Sequence, residues 1–283
     1  MANHEIIKVE NLWYTYLNGY TALKGINIEI NSKEFIAVVG ANGSGKTTLI
    51  KHFNGLLKPT KGRVTVYGMD TRTTSVAELS RYVGVVFQNP LNQFFEETVE
   101  DEVAFALKNF KGNVDSEEIA RILRELGIEH LRRKSPFEAS LGEQKRITLA
   151  SVLVYEPDFV VLDEPTVGLD YKSKMRLLKI LTELYGRGKI ILVVSHDIEF
   201  LAKAPLTRII ILNNGNLVFD GSPREAFYNL PLLYSSRLVP PQIPDLIIRL
   251  NLEKYFKPLN DEEAYEIVKS LVKEALVDVR KRY

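Results

Sequence analysis

The chain has 283 residues, 45% of them hydrophobic, enough for one large domain or for one domain with a smaller one attached. Its 37 Lys+Arg and 36 Asp+Glu leave a net charge of +1, without the basic excess that coating nucleic acid requires. The lack of cysteine excludes disulfides, thiolate zinc sites and cysteine nucleophiles, and suits a reducing compartment.

The opening "MANHEIIKVENLW" has no basic segment followed by an apolar core, so no signal peptide is expected. "VENLWYTY" and "LKGINIEI" alternate in polarity, as half-exposed antiparallel strands do. "FIAVVG" is continuously apolar and reads as a strand covered on both faces; it runs into a glycine loop and then the helical pattern "KTTLIKHFNGLL". "YVGVVFQ" is a further strand, ending at Gln88. "DSEEIARILRELG" predicts a helix with Asp115 at its N-cap, Glu118 three residues on and Gly127 as its stop. "FVVLDE" and "KIILVVSHD" are two more buried strands, each near a helical segment. This alternation predicts an α/β domain with a parallel sheet. Apolar runs such as "FVVL" and "IILVV" fall far short of the ~20 residues that cross a bilayer, so a soluble chain is expected and any membrane role must come through a partner. In "LVPPQIPDL", Pro240, Pro241 and Pro244 are expected to break any regular element and mark a boundary. Beyond it, a predicted helix carries Ala264, Ile267, Val268, Leu271, Val272, Ala275 and Val279 on one face, which either packs on its own domain or forms a subunit interface.

Within this frame, "GANGSGKT", Gly40 to Thr47, fits the phosphate-loop pattern between a strand and a helix. Gly43 and Gly45 let the backbone curl so that amides face phosphates, Lys46 adds a charge at the β and γ phosphates, and the Thr47 hydroxyl can ligate Mg2+. Asn42, Ser44 and Thr48 complete the nucleotide-binding set here. Asp163 and Glu164 end a strand at the edge where parallel sheets bind ligands: Asp163 is expected to hold Mg2+ and Glu164 to polarise the attacking water. His196 ends another strand within reach of a γ-phosphate, and Gln88 ends a fourth, where its amide can contact Mg2+ and water.

These residues, in this order, resemble the ATP-binding cassette family, the ATPase subunits of ABC transporters, over roughly Ile6 to Phe227. The resemblance implies an α/β P-loop NTPase core with a mostly parallel sheet, an antiparallel β subdomain and a helical subdomain, plus a small α-rich C-terminal extension. It places the ATPase domain at 1–229, with the helical subdomain at about 90–157, and a candidate dimerisation domain at 230–283. It puts Tyr16 where the family stacks an aromatic ring on adenine, Gln88 in the loop that contacts the transmembrane partner, and "VGLD", Val167 to Asp170, in the loop that crosses the dimer interface. ATP and Mg2+ are the implied cofactors, and a second ABC ATPase, identical or different, is the implied partner.

A narrower resemblance is to the energy-coupling-factor importers for vitamins and transition-metal ions. It rests on "FQNPLNQFFEETVEDEVAFAL", with Asn92, Gln93 and Phe94, and on "GNLVFDGSPREAF". It implies a transmembrane coupling protein, a substrate-capture membrane protein, no nucleic acid, and a peripheral place on the cytoplasmic face of the cell membrane. The alternatives within the resemblance are the ATPase of a conventional ABC importer or exporter and, further off, a soluble ABC protein without a transport role.

The family's signature is L-S-G-G-[QE]-x-x-R. In "EASLGEQKRITLA" the chain aligns Ala139, Ser140, Leu141, Gly142, Glu143 and Arg146 to it without gaps. Ser140, Gly142 and Glu143 are therefore the residues expected to face a nucleotide bound on the other subunit. Leu141 replaces a glycine: a positive φ there would strain it, whereas a negative φ would not. The sequence leaves open a weakened signature in an asymmetric pair of sites and a tolerated variant.

Overall fold

A computed structural model describes residues 5–282, and the side chains of residues 6–273. Residues 1–4 of the opening segment, and the side chains of Ala275 and Val279, lie outside what is described. In chain order the elements begin with β1 (Glu5–Thr15), β2 (Thr21–Asn31), β3 (Phe35–Val39), α1 (Lys46–Phe53), β4 (Lys61–Val66), β5 (Met69–Asp70), α2 (Val76–Leu79) and β6 (Val83–Val86). There follow α3 (Val99–Lys111), α4 (Ser116–Glu125), α5 (Leu141–Leu153), β7 (Phe159–Asp163), α6 (Tyr171–Gly186) and β8 (Ile190–Val194). The chain continues through α7 (Ile198–Ala202), β9 (Arg208–Asn213), β10 (Asn216–Gly221), α8 (Pro223–Phe227), α9 (Leu230–Ser235), α10 (Gln242–Arg249) and α11 (Asp261–Arg282).

Two sheets form. One is antiparallel, in the order β2-β1-β4-β5; the other has the order β10-β9-β3-β8-β7-β6 and is parallel except where β10 turns back on β9. The continuously apolar strands β3, β7 and β8 are buried at every residue, which is what layers on both faces demand. Side-chain alternation divides them cleanly. Phe35, Ala37, Val39, Val160, Leu162, Ile191 and Val193 share a core with α3, α4, α5 and α6. Ile36, Val38, Phe159, Val161, Ile190, Leu192 and Val194 share the other with Leu49, Ile50 and Phe53 of α1 and with the antiparallel sheet. The P-loop NTPase core and its antiparallel and helical subdomains are thus as the resemblance implies.

Local chemistry explains the element ends. The Asp115 carboxylate accepts from the Glu117 amide at 2.9 Å, and Gly127 leaves the α4 segment with φ 66, as its capped pattern predicts. Glu118 does not reach back to close a capping box; it pairs with Lys111 instead. The proline-rich stretch departs from expectation. Pro240 and Pro241 precede α10, but Pro244 lies in its first turn. There the missing N–H would have had no intrahelical acceptor, so the proline costs no hydrogen bond.

The C-terminal elements are stitched back to the rest. The Asn260 amide donates to Ala202 O at 3.1 Å, the Gln242 amide to Glu199 Oε1 at 2.6 Å, Arg224 pairs with Glu263 at 3.0 Å, and Lys203 pairs with Asp261. The apolar stripe of α11 is not buried by these contacts: Val268, Leu271 and Val272 are all exposed. Among the described residues no helix is long and apolar enough to cross a membrane.

Candidate nucleotide-hydrolysis site

Parallel strands bring their C-terminal ends to one edge of a sheet. The residues that follow β3, β6, β7 and β8 therefore converge, and they line a cleft of about 810 Å³ with Tyr16, Asn42, Gly43, Gly45, Lys46, Thr47, Thr48, Gln88, Glu164 and His196 on its walls. The loop after β3 needs glycine for two different reasons. Gly43 has φ 77 with open space around it, so backbone conformation alone decides. Gly45 has φ 105, and a Cβ there would also meet Ala22 O at 2.7 Å.

Lys46, nearly buried, donates to Gly40 O at 2.8 Å and Ala41 O at 3.1 Å. Burial lowers its pKa below the usual lysine range, while Glu164 and Asp163 nearby pull it back up. The Thr47 hydroxyl donates to Asp163 Oδ2 at 2.8 Å. Asp163 is 3% exposed, and its other oxygen, Oδ1, is buried with no partner in the protein. Burial raises this carboxyl above the usual range, against the hydrogen bond from Thr47.

An orphaned buried carboxylate oxygen beside a hydroxyl is a donor set that fits a hard cation. Among the described residues no group of three or more His, Cys, Asp or Glu could hold a metal by itself. Mg2+ takes one or two carboxylates and shares its remaining positions with water and phosphate, and the Asp163 carboxylate with the Thr47 hydroxyl fits that need. Gln88 lies exposed on the same wall.

Glu164 adopts φ 49, a left-handed conformation rare for a side chain of its size. Its backbone N–H is fixed on Val194 O at 2.8 Å, and its Oε2 accepts from His196 Nδ1 at 2.8 Å and from the His196 backbone at 3.3 Å. The carboxylate is buried, whereas His196 is more than half exposed to the cleft. The strain is held where a carboxylate and an imidazole meet at the ligand edge.

Tyr16 sits at the other end. Its hydroxyl bonds Thr48 Oγ1 at 2.9 Å, Tyr14 meets its ring edge-on, and Tyr20 lies nearly parallel to it with centroids 6.5 Å apart. Ser44 is buried behind the loop and its hydroxyl has no partner.

The signature residues lie elsewhere: Ser140, Gly142 and Glu143 do not line this cleft. Ser140 caps α5, and Glu143 folds back so that its Oε2 accepts from Ser140 N at 2.9 Å and Ser140 Oγ at 2.6 Å. Those hydrogen bonds hold the Glu143 carboxyl below the usual range. Leu141 is the first residue of α5, and its φ is not positive. The backbone question raised by the missing glycine is thereby answered: the leucine is unstrained.

Sequence reasoning passed over several cleft residues. Tyr20 donates its hydroxyl to Gly43 O at 3.1 Å, and Lys174 pairs with Asp197 at 2.6 Å on the cleft wall. Thr166 is another. Asp197 directly follows His196 and could have been read with it; Tyr20 and Lys174 sit in no local pattern.

The comparisons agree with this geometry. A profile of the family described as ABC transporter matches residues 23–167. A putative ABC transporter ATP-binding protein of Caldanaerobacter subterraneus subsp. tengcongensis is 41% identical over 247 residues, 87% of this chain but 43% of that protein, so the chain spans less than half the length of this relative. The energy-coupling factor transporter ATP-binding protein EcfA2 of Clostridium tetani is 40% identical over 263 residues, covering 88% of this chain and 90% of that one. Among solved structures, cbiO1 from Clostridium perfringens, described as part of the ABC transporter complex cbiONQ, superposes with a TM-score of 0.72 at 34% identity, over 87% of this chain and 100% of that one. The ATP-binding cassette MJ0796, in a dimeric post-hydrolysis state bound to ADP and Pi, gives 0.71 at 29%, over 77% and 99%. With its phosphate loop, strand-end carboxylates and histidine assembled at one sheet edge, the chain belongs to the ABC transporter ATP-binding family.

Proposed function

We propose that this chain is the ATP-hydrolysing subunit of a membrane ABC importer of the energy-coupling-factor type, for a vitamin or a transition-metal ion. The observation that carries the reading is the contact of Glu164 with His196 at 2.8 Å, in one cleft with Lys46 and Thr47. The likeness to EcfA2 and cbiO1 supports the importer type.

The phosphate-loop amides from Asn42 to Thr48 cradle the β and γ phosphates, and Lys46 neutralises their charge. Thr47 and Asp163, with Gln88 nearby, would hold Mg2+, which when bound would supply positive charge against the charge that develops on the phosphates. Glu164 accepts a proton from the attacking water. His196, anchored on Glu164 through Nδ1, orients that carboxylate and keeps its second ring nitrogen for the γ-phosphate. Tyr16 supplies an aromatic face for adenine.

Ser140, Gly142 and Glu143 act in trans. Their absence from the cleft of their own chain is what a sandwich of two cassettes requires, each completing the other's site. The second cassette is either another copy or a related chain. Residues 1–229 form the ATPase unit, with 90–157 as its helical part, and 230–283 the appended unit, whose exposed α11 stripe suits a subunit interface. Through a transmembrane coupling protein and a substrate-capture protein, the complex sits at the cytoplasmic face of the membrane.

Light scattering and phosphate release test the reading together. The Glu164→Gln chain should bind MgATP, release phosphate about 100- to 10,000-fold more slowly than wild type, and double in mass only with MgATP, alone or with its partner cassette. Wild-type turnover by Glu164→Gln would overturn it.

A further inference from the structure

Helix α5 grips the catalytic loop of its own chain at two points. The buried Lys145 ammonium lies 2.6 Å from Val167 O, 2.9 Å from Pro165 O and 3.4 Å from Glu164 O. One turn earlier, Leu141 covers Gly168: a Cβ built on that glycine would meet Leu141 Cδ2 at 2.4 Å, and its φ of +74 already disfavours any side chain. The grip spans five consecutive residues, from Glu164 at the water-activating end to Gly168 in the loop assigned to the dimer interface.

Three carbonyls around one buried ammonium use its whole donor set. An amide side chain has two donors, a thioether none. The carbonyls accept from the helix that Ser140 caps, and the first of them belongs to the residue in the strained left-handed conformation. The bulk of Leu141, at the position where a glycine is expected, is directed onto this loop.

We propose that Lys145 is a positioning residue for hydrolysis: with Leu141 on Gly168, it ties the signature helix to the loop bearing Glu164 of the same chain, so that a nucleotide held by the opposite cassette and seated against α5 sets the Glu164 carboxylate in this chain's own cleft. Engagement of one site is thereby transmitted to the other through a single chain. The inference rests on the hydrolytic reading of the cleft given above.

The test compares wild-type, Lys145→Met, Lys145→Gln and Glu164→Gln full-length chains, measuring steady-state ATP hydrolysis and the affinity for a non-hydrolysable ATP analogue. A misplacement of about 1 Å costs roughly 100-fold in rate, so Lys145→Met should lose about 10- to 100-fold in kcat. Lys145→Gln, retaining two donors, should fall between it and wild type. Analogue affinity of both should stay close to wild type, a separation that general unfolding would not produce. If Lys145→Met does not fold, Lys145→Gln decides by the same split. Full kcat in the folded Lys145 variants, with Glu164→Gln inactive, overturns the clamp and leaves the hydrolytic site standing. Full kcat in Glu164→Gln overturns the site itself.

Discussion

Stability should fall in mild acid because of one histidine. His52, on α1, is fully buried; its Nδ1 lies 2.7 Å from Thr48 O and donates to it, while its Nε2 is buried without a partner. Tyr14 closes over it edge-on with ring centroids 5.0 Å apart. A second proton would place a charged N–H where nothing accepts it, so burial depresses the pKa from 6.5 to about 4, against the favourable bond to Thr48. The unfolded chain therefore binds more protons than the folded one between these values, and stability rises with pH. The contribution is fully present above 6.5 and is lost as pH falls through 6.5 toward 4. Linkage over that interval amounts to about 2 kcal/mol by about pH 5 and about 3 kcal/mol at most. For a chain of 283 residues, about 2 kcal/mol lowers the melting temperature by roughly 3–4 °C. The assay is thermal unfolding of wild type and His52→Gln at several pH values between about 7 and 5, read as a difference so that titrating carboxylates cancel. The wild-type advantage should shrink as the solution is acidified. Parallel melting curves across the range would refute the argument, because a neutral buried imidazole cannot be indifferent to protons.

Four further outcomes are expected. Glu164→Gln should cut phosphate release by about 100- to 10,000-fold, the usual contribution of a general base, with ATP affinity kept. Gly84→Ala should destabilise by roughly 1–3 kcal/mol in denaturant unfolding, since its Cβ would meet Val152 Cγ1 at 2.4 Å and Pro157 Cγ at 2.8 Å in a packed strand. Asp163→Asn should weaken the binding of Mg2+, seen as a higher Mg2+ concentration at half-maximal rate of hydrolysis. Leu141→Gly should not raise the rate of hydrolysis, because the native leucine is unstrained; it should cost roughly 0.5–1 kcal/mol of helix stability, measured by the same unfolding. A gain in turnover would show that the leucine obstructs the facing nucleotide.

Much of the fold was legible because its signals are local. A continuously apolar run can only be a strand covered on both faces here, and the glycine loop after Val39 and the carboxylates after Leu162 read directly from adjacent residues. Asp115 capped its helix because an N-cap needs only its own carboxylate and an amide two residues on. The prolines of "LVPPQIPDL" misled because a proline's effect depends on which turn of a helix it occupies, and that is settled by where the helix begins.

The chain's order of residues by itself marked which groups are candidates to touch phosphate, Mg2+ and water, since those groups follow the strands in sequence. Only the tertiary structure decided how they are held. Leu141 on Gly168, Lys145 on the carbonyls of Glu164, Pro165 and Val167, and Tyr20 on Gly43 each join residues distant in the chain. The same is true of α11, whose periodicity marks an apolar face but whose exposure depends on what the rest of the chain leaves uncovered. Local patterns state what a backbone segment prefers, whereas these contacts exist only once separate segments have packed, and no short stretch of sequence records the partner it will meet.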